Sequence, residues 1–162
     1  MSLAAASGED LGTTSDIVTD ALTAFGLSAG DSGHFADVLA QASANANTNV
    51  SMLGESFKYV APVAGAMNYS VEDTSLALGL MANASIKGSM AGTALKTSLA
   101  NMAAPTDSMA AAMDKYGISL TDSEGNMKSL RGVIDNLRGS LGGLSETEQT
   151  AAASTIFGKE AM

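Results

Sequence analysis

The sequence predicts an all-α fold, a compact bundle of about six to eight short helices arranged as helical hairpins, with one small β-hairpin near residues 118–128. Apolar residues recur at three- and four-residue spacing along most of the chain, and Ser, Thr or Asp stands where these runs begin. Gly and Pro interrupt the runs too often to sustain the heptads of an extended coiled coil. We therefore predict a bundle rather than a coiled coil.

Length and composition predict how the chain is organised. Its 162 residues are enough for one domain with a core, so we expect a flexible N-terminal segment at residues 1–14 and a single helical domain at residues 15–162. Residues of hydrophobic type make up 46% and aromatic residues only 4%, so we expect a core of Ala, Leu, Val and Met with modest stability. No closing element follows the last predicted helix, and we expect the chain to be a fragment of a longer protein.

Three helices are predicted in the first part of the chain. Ser15 can cap the first, and Gly26 can end it. Asp31 or Ser32 opens the second, which an Asn-rich link separates from the third. Pro62 lies inside the third helix, where we expect it to kink the helix or divide it in two.

The central part of the sequence predicts a tight helical hairpin. Residues 70–73 (Ser-Val-Glu-Asp) have the form of a capping box and open a helix that is apolar on nearly all sides. Residues 85–88 break the pattern, Gly88 offers a positive φ, and Ser89 can cap the next helix. Gly92 in that helix leaves room for a closely packed neighbour.

The last part of the sequence predicts three more helices and the one departure from helix. Thr106 can cap a short sixth helix. Residues 122–126 (Asp-Ser-Glu-Gly-Asn) have turn chemistry between two short alternating runs, which predicts the β-hairpin. The clearest apolar stripe of the chain follows at residues 130–141, and residues 145–148 (Ser-Glu-Thr-Glu) form a second capping box before the final helix.

Charge and composition exclude several classes of function. With 17 acidic and 8 basic residues the formal charge is −9, which disfavours binding to nucleic acid and to membrane surfaces. The chain has no Cys, which excludes disulfides, thiolate metal sites and cysteine nucleophiles. The longest apolar run, residues 59–67, is far shorter than the ~20 residues of a membrane span.

The residues that could carry chemistry are few and isolated. His34 is the only histidine, so it has no second imidazole or thiolate with which to share a metal. Helix capping accounts for the acidic pair Glu72 and Asp73. Residues 122–126 offer oxygen ligands in a turn but lack the spacing of an EF-hand. We therefore predict no catalytic residue, no metal site and no cofactor.

One pair of short motifs supports an alternative, enzymatic hypothesis. Glu55 and Ser56, followed by residues 79–81 (Gly-Leu-Met), resemble two elements of the lytic transglycosylases, which cut peptidoglycan with a single general acid. That chemistry requires Glu55 to lie in an apolar cleft that raises its pKa. Ala82 stands where that family has Gln, so the resemblance is incomplete.

A second resemblance covers the chain from about residue 31 to its C-terminus. Its motifs lie at residues 49–55, 58–62, 79–88, 91–95, 117–125 and 156–159. In this order and spacing they resemble the conserved core of the tail tape-measure proteins of long-tailed phages and prophages. The residues that carry the resemblance are Gly54, Pro62, Gly79, Asn83, Ile86, Lys87, Gly88, Gly92, Leu95, Phe157 and Gly158.

The resemblance implies a structural role without catalysis. Such proteins lie in the lumen of the tail tube, their length sets tail length, and they leave the tail during infection. It implies tail-tube and tail-assembly proteins and other copies of the tape measure as partners, with synthesis in the host cytoplasm. A module that must be packed and expelled is expected to unfold easily, with a melting temperature below the ~90 °C of hyperstable domains. We expect Gly65→Ala to raise that temperature and, if Gly88 has a positive φ, Gly88→Ala to lower it.

Overall fold

Residues 10–158 are described in the computed structural model, apart from the side chain of Leu11, and they form eight α-helices and one short 3₁₀ turn. The helices are α1 Leu11–Ala24, α2 Ser32–Asn45, α3 Val50–Ala66, α4 Val71–Asn83, α5 Gly88–Ala103, α6 Asp107–Tyr116, α7 Leu130–Leu141 and α8 Glu146–Phe157, and the 3₁₀ turn is Ala29–Asp31. The all-α prediction is confirmed. Lys159 of the last motif and residues 1–9 of the predicted flexible segment lie outside the described residues.

The first helix begins earlier than predicted. Asp10, not Ser15, is its N-cap, and the Asp10 carboxylate accepts a hydrogen bond from the backbone N–H of Thr13 at 3.0 Å. The buried Thr14 hydroxyl donates to the carbonyl oxygen of Asp10, which adds a second link across the first turn. Residues 11–14, which we assigned to the flexible segment, are therefore helical. Gly26 ends the helix as predicted, with φ of 66°.

Pro62 does not divide the third helix, so that part of the prediction is wrong. Helix α3 runs unbroken through Pro62, from an N-cap at Asn49 whose side chain accepts from the N–H of Met52. Pro62 itself is exposed. The helix is instead held along its length by a buried stripe, which consists of Val50, Leu53, Phe57, Val60, Ala61 and Ala64. Packing of that stripe offsets the backbone hydrogen bond that proline cannot donate.

Most of the other predicted helix starts agree with the structure. Ser70 accepts from the N–H of Asp73 at 3.1 Å, Thr106 caps α6, and Ser145 forms a complete capping box with Glu148. Ser89 is an exception because α5 already begins at Gly88.

The predicted β-hairpin near residues 118–128 is reduced to a single isolated antiparallel bridge between Thr121 and Met127. The Asp122 carboxylate accepts from the backbone N–H groups of Glu124 and Asn126, each at 2.9 Å, so the loop closes around this side chain. The hydrogen bond from Asn126 is the main reason that the pKa of Asp122 is lowered. The turn chemistry was therefore identified correctly, but the flanking runs are too short to pair as strands.

The described residues group into two compact units that divide inside α5, between Thr93 and Ala94. In the first unit α1 packs against α3, and α2 packs against both α3 and α4. Phe57 lies at its centre, edge-to-face with Phe25 and Phe35 at centroid distances of 5.9 and 5.5 Å. The single domain predicted for residues 15–162 stays a prediction.

The second unit has a smaller aliphatic core. Helix α6 packs against α8, and the buried side chains are Ala94, Leu95, Leu99, Met102, Met113, Ile118, Leu120, Leu130, Val133, Ala152 and Ile156. Met102 and Met113 are the only methionines buried within residues 10–158. The expected core of Ala, Leu, Val and Met is therefore wrong for the first unit, because Phe35 and Phe57 fill its centre, whereas the buried side chains described for the second unit include no aromatic residue.

The expected effect of Gly65→Ala reverses in light of the structure. A Cβ at Gly65 would collide with the carbonyl oxygen of Ala24 and lie 3.2 Å from the Cα of Phe25. Backbone atoms cannot move aside as a flexible side chain can, so we now expect Gly65→Ala to destabilise the protein by about 1–3 kcal/mol. Thermal unfolding followed by circular dichroism checks this. Gly33→Ala is the control, since no described residue comes within 4 Å of its added Cβ. An unchanged or raised melting temperature for Gly65→Ala would contradict the expectation.

Candidate functional site

Five of the residues that carry the family resemblance lie close together in the chain, where α4 turns into α5. We call residues 83–92 the α4–α5 corner, and its signature residues are Asn83, Ile86, Lys87, Gly88 and Gly92. The turn is made by two residues with positive φ, Ser85 at 70° and Gly88 at 60°. Gly88 was predicted from the sequence, whereas Ser85 was not, because serine rarely adopts this conformation.

Ser56 on α3 holds the beginning of α5. Its buried hydroxyl lies 2.7 Å from the carbonyl oxygen of Gly88 and 3.0 Å from that of Met52, so it can donate to either. Gly92 lies on α5, four residues after Gly88. A Cβ at Gly92 would collide with the Ser56 carbonyl oxygen and lie 2.9 Å from the Ser56 Cα. The backbones of α3 and α5 therefore meet at this point with no room for a side chain.

The other side of the α4–α5 corner is tied to the link between α2 and α3. The Asn83 side-chain oxygen accepts from the backbone N–H of Asn47 at 2.8 Å. One turn earlier on α4, a Cβ at Gly79 would lie 3.3 Å from that of Ala46. The N–H of Ile86 donates to the carbonyl oxygen of Met81 and closes the end of α4. The α4–α5 corner is thus held by two residues distant in sequence, Ser56 on α3 and Asn47 in the link between α2 and α3.

The remaining signature residues of the first unit lie away from the corner. Gly54 is buried on α3, where a Cβ would meet the side chain of Ile17 on α1, with the Ile17 Cγ2 at 2.8 Å. Pro62 is exposed on the same helix. These positions give close packing of α1 on α3 at Gly54 but form no common pocket with the corner.

In the second unit the signature residues include the end of the last helix. The carbonyl oxygen of Phe157 accepts from the Asn101 side-chain amide at 3.0 Å, and Gly158 follows with φ of 84°. Leu95 is buried in the core of this unit. The Asn101 side chain thereby caps a carbonyl group that the end of α8 leaves without an intrahelical partner.

The environment of Glu55 does not match that of a general acid. Its side chain is 47% exposed and lies 3.4 Å from the Lys58 ammonium on the next turn of α3. The depression that Glu55 lines has mainly polar walls, including Asp16 and Asp20, so it is not the apolar cleft that the transglycosylase hypothesis requires. Ser56, which formed part of the same motif, is instead occupied in holding Gly88.

The other candidate residues also have structural roles. His34 Nε2 pairs with a carboxylate oxygen of Glu72, which links α2 to the start of α4. The pKa of Glu72 is lowered, first by a hydrogen bond from its own backbone N–H and then by His34. Within residues 10–158, no cluster of three or more His, Asp or Glu side chains is placed to hold a metal ion. In the same part of the chain, every helix is too short or too polar to span a membrane.

Comparison with known proteins agrees with the resemblance noted in the sequence. Residues 1–158 match the family described as phage-related minor tail protein. The chain is 42% identical over 162 residues to a tape measure protein of Pneumococcus phage Dp-1, which covers 100% of this chain and 14% of that protein. It is 31% identical over 141 residues to a probable tape measure protein of Escherichia phage P2, covering 86% of this chain and 17% of that protein.

These matches establish the family and also limit what can be transferred from the relatives. The chain spans only 14% and 17% of the length of these two curated relatives. No solved structure matches the chain. Since the family match covers nearly the whole sequence and both relatives are tape-measure proteins by name, the chain belongs to the family of phage-related minor tail proteins.

Proposed function

We propose that the chain is a compact helical module of a phage tail tape-measure protein, the protein whose length sets that of the tail. The observation that carries the proposal is the 42% identity, over the whole chain, to a protein named as a tape measure. Close packing at Gly54, against the Ile17 side chain, and at Gly92, against the backbone of Ser56, supports it, because helices that approach through glycine form thin layers suited to a narrow tube.

The proposal includes a location and partners. The module occupies the lumen of the tail tube, as part of a longer chain made in the host cytoplasm. Its partners are tail-tube and tail-assembly proteins and other copies of the tape measure, while nucleic acid and membranes are not among them. The formal charge of −9 supports this choice, since it opposes binding to phosphate backbones and to anionic lipid.

Tail length tests the proposed role directly. In a phage that carries the complete gene, an in-frame duplication of residues 10–158 is expected to lengthen the tail, by at most about 1.5 Å for each added helical residue. Electron microscopy of purified virions measures the change, and mass spectrometry checks that the protein is in the tail. Particles with tails of unchanged length that contain the duplicated protein would contradict the role.

We also propose that the module is not an enzyme. The purified chain and its Glu55→Gln variant are expected to leave a suspension of bacterial cell walls equally turbid, because Glu55 lies exposed beside Lys58 rather than in an apolar cleft. Clearing of the suspension by the unmodified chain, with loss of that activity in the variant, would show that the enzymatic hypothesis is right.

A further inference from the structure

The first unit carries an open apolar groove between α2 and α4. It encloses about 520 Å³, and the apolar part of its lining consists of Val38, Ala42, Ala46, Leu76, Gly79 and Leu80. Ala42 on α2, Ala46 just after it and Gly79 on α4 contribute little side-chain bulk to the lining, while Leu76 is 40% exposed. An exposed leucine beside a depression of small side chains is typical of a surface that packs against another apolar surface.

Apart from His34, the titratable side chains that line the groove are acidic. Asp37 and Glu72 line it, and within residues 10–158 no Lys or Arg does. His34, which also lines it, pairs with Glu72. A second copy of this chain would bring the same carboxylates and another formal charge of −9 to the contact, and an anionic lipid surface would also be repelled. The occupant that this rim favours is therefore cationic.

A buried hydroxyl without a partner lies on the groove wall. Ser75 on α4 is 2% exposed, and its hydroxyl oxygen makes no hydrogen bond to any of the described residues. Buried polar groups are normally paired, and one left unpaired destabilises the protein that contains it. Because Ser75 lines the groove, a polar group on an occupant could pair with it after a rotation of the serine side chain.

We propose that this groove binds one cationic amphipathic helix of another protein chain. Its apolar face packs against Leu76, Leu80 and the small side chains of α2, and Lys or Arg at its edges pairs with Asp37 and Glu72. The lining on α2 extends from His34 to Asn45, which at 1.5 Å per residue accommodates a helix of about three turns. This inference concerns the surface alone and does not depend on the tape-measure role.

Two synthetic peptides test the proposal against the intact 162-residue chain. One is an 18-residue helix with a stripe of Leu and Ala flanked by Lys, and the other has Glu in place of each Lys. Fluorescence anisotropy is expected to show binding of the Lys peptide, with at least tenfold weaker binding of the Glu peptide. No binding of the Lys peptide at millimolar concentration, or equal binding of the two peptides, would overturn the proposal.

A matched pair of variants distinguishes binding of the Lys peptide in the groove from non-specific attraction of the peptide to an acidic protein. Leu76→Lys places a positive charge in the groove and is expected to weaken binding at least tenfold. Met90→Lys makes the same change in charge at a residue that is 65% exposed and does not line the groove, and is expected to change binding less than twofold. Circular dichroism confirms that both variants are folded. Equal weakening by the two variants would show that only net charge attracts the peptide.

Two further measurements address other occupants. Backbone amide shifts induced by the Lys peptide are expected at Ala42, Ala46 and Gly79, and shifts confined to other surfaces would contradict the assignment. Analytical ultracentrifugation of the chain alone and of Leu76→Lys is expected to show the same degree of self-association. A dimer lost only in that variant would mean that a second copy occupies the groove.

Discussion

Phe57→Ala is expected to lower the free energy of unfolding by about 3–5 kcal/mol, the largest effect of any substitution considered in the first unit. Phe57 is buried on α3, and its ring contacts those of Phe25 and Phe35 edge-to-face. Truncation removes both ring contacts and leaves a cavity that the surrounding helices fill only in part. Since domains are typically stable by about 5–15 kcal/mol, this change alone can bring the unit close to unfolding. Urea denaturation followed by circular dichroism measures the loss.

Tyr59→Ala is the matched control for Phe57→Ala. It removes an aromatic side chain from the same helix, but Tyr59 is 42% exposed, so we expect a change within about 0.5 kcal/mol. If Phe57→Ala does not fold, Phe57→Leu keeps most of the volume and is expected to lose less. Equal effects of the substitutions at Phe57 and Tyr59 would show that the ring cluster is not the centre of the core.

The parts of the fold that depend on local chemistry could be predicted from the sequence. Ser70, Thr106 and Ser145 were identified as N-caps because a cap needs only its own side chain and the backbone of the next turn. Asp10 and Ser15 are both suitable caps, and the sequence alone could not choose between them. Burial of Thr14 in the folded protein favours Asp10, and burial is not visible in local sequence.

The position of the candidate site could be predicted from the sequence, but the contacts between its residues could not. Gly88 and Gly92 marked the α4–α5 corner because glycine implies unusual backbone geometry or close approach. Ser56, which contacts both, is more than 30 positions away in sequence, and we read it only as part of a catalytic motif. A pairing at that distance is set by how α3 and α5 pack, which a single sequence does not specify.

The composition of the first unit's core was also mispredicted, for a related reason. A low aromatic content predicted a core of Ala, Leu, Val and Met, yet Phe25, Phe35 and Phe57 meet in one cluster. Composition gives the number of each residue type but not where those residues lie in the fold. Three aromatic rings that touch provide more buried area than their share of the sequence suggests.

Gly92→Ala is expected to lower the free energy of unfolding by about 1–3 kcal/mol or more, although alanine is the better helix former. The added methyl group would collide with the backbone of Ser56, so α5 must move away from α3. That movement would also stretch the hydrogen bond between the Ser56 hydroxyl and the Gly88 carbonyl group, a bond that typically contributes about 0.5–1.5 kcal/mol. Urea denaturation measures the total. Ser56→Ala measures the hydrogen bond separately, because it removes the hydroxyl without adding a clash.

Gly139→Ala is the control for Gly92→Ala, because it makes the same substitution within α7, where no atom of residues 10–158 lies within 4 Å of the added Cβ. There helix propensity acts alone, and we expect a gain of about 0.5–1 kcal/mol. Opposite signs at the two positions would mean that Gly92 is required for the approach of α3 and α5. A gain at both would show that the two helices can separate at little cost, and that the α4–α5 corner is not held by backbone contact.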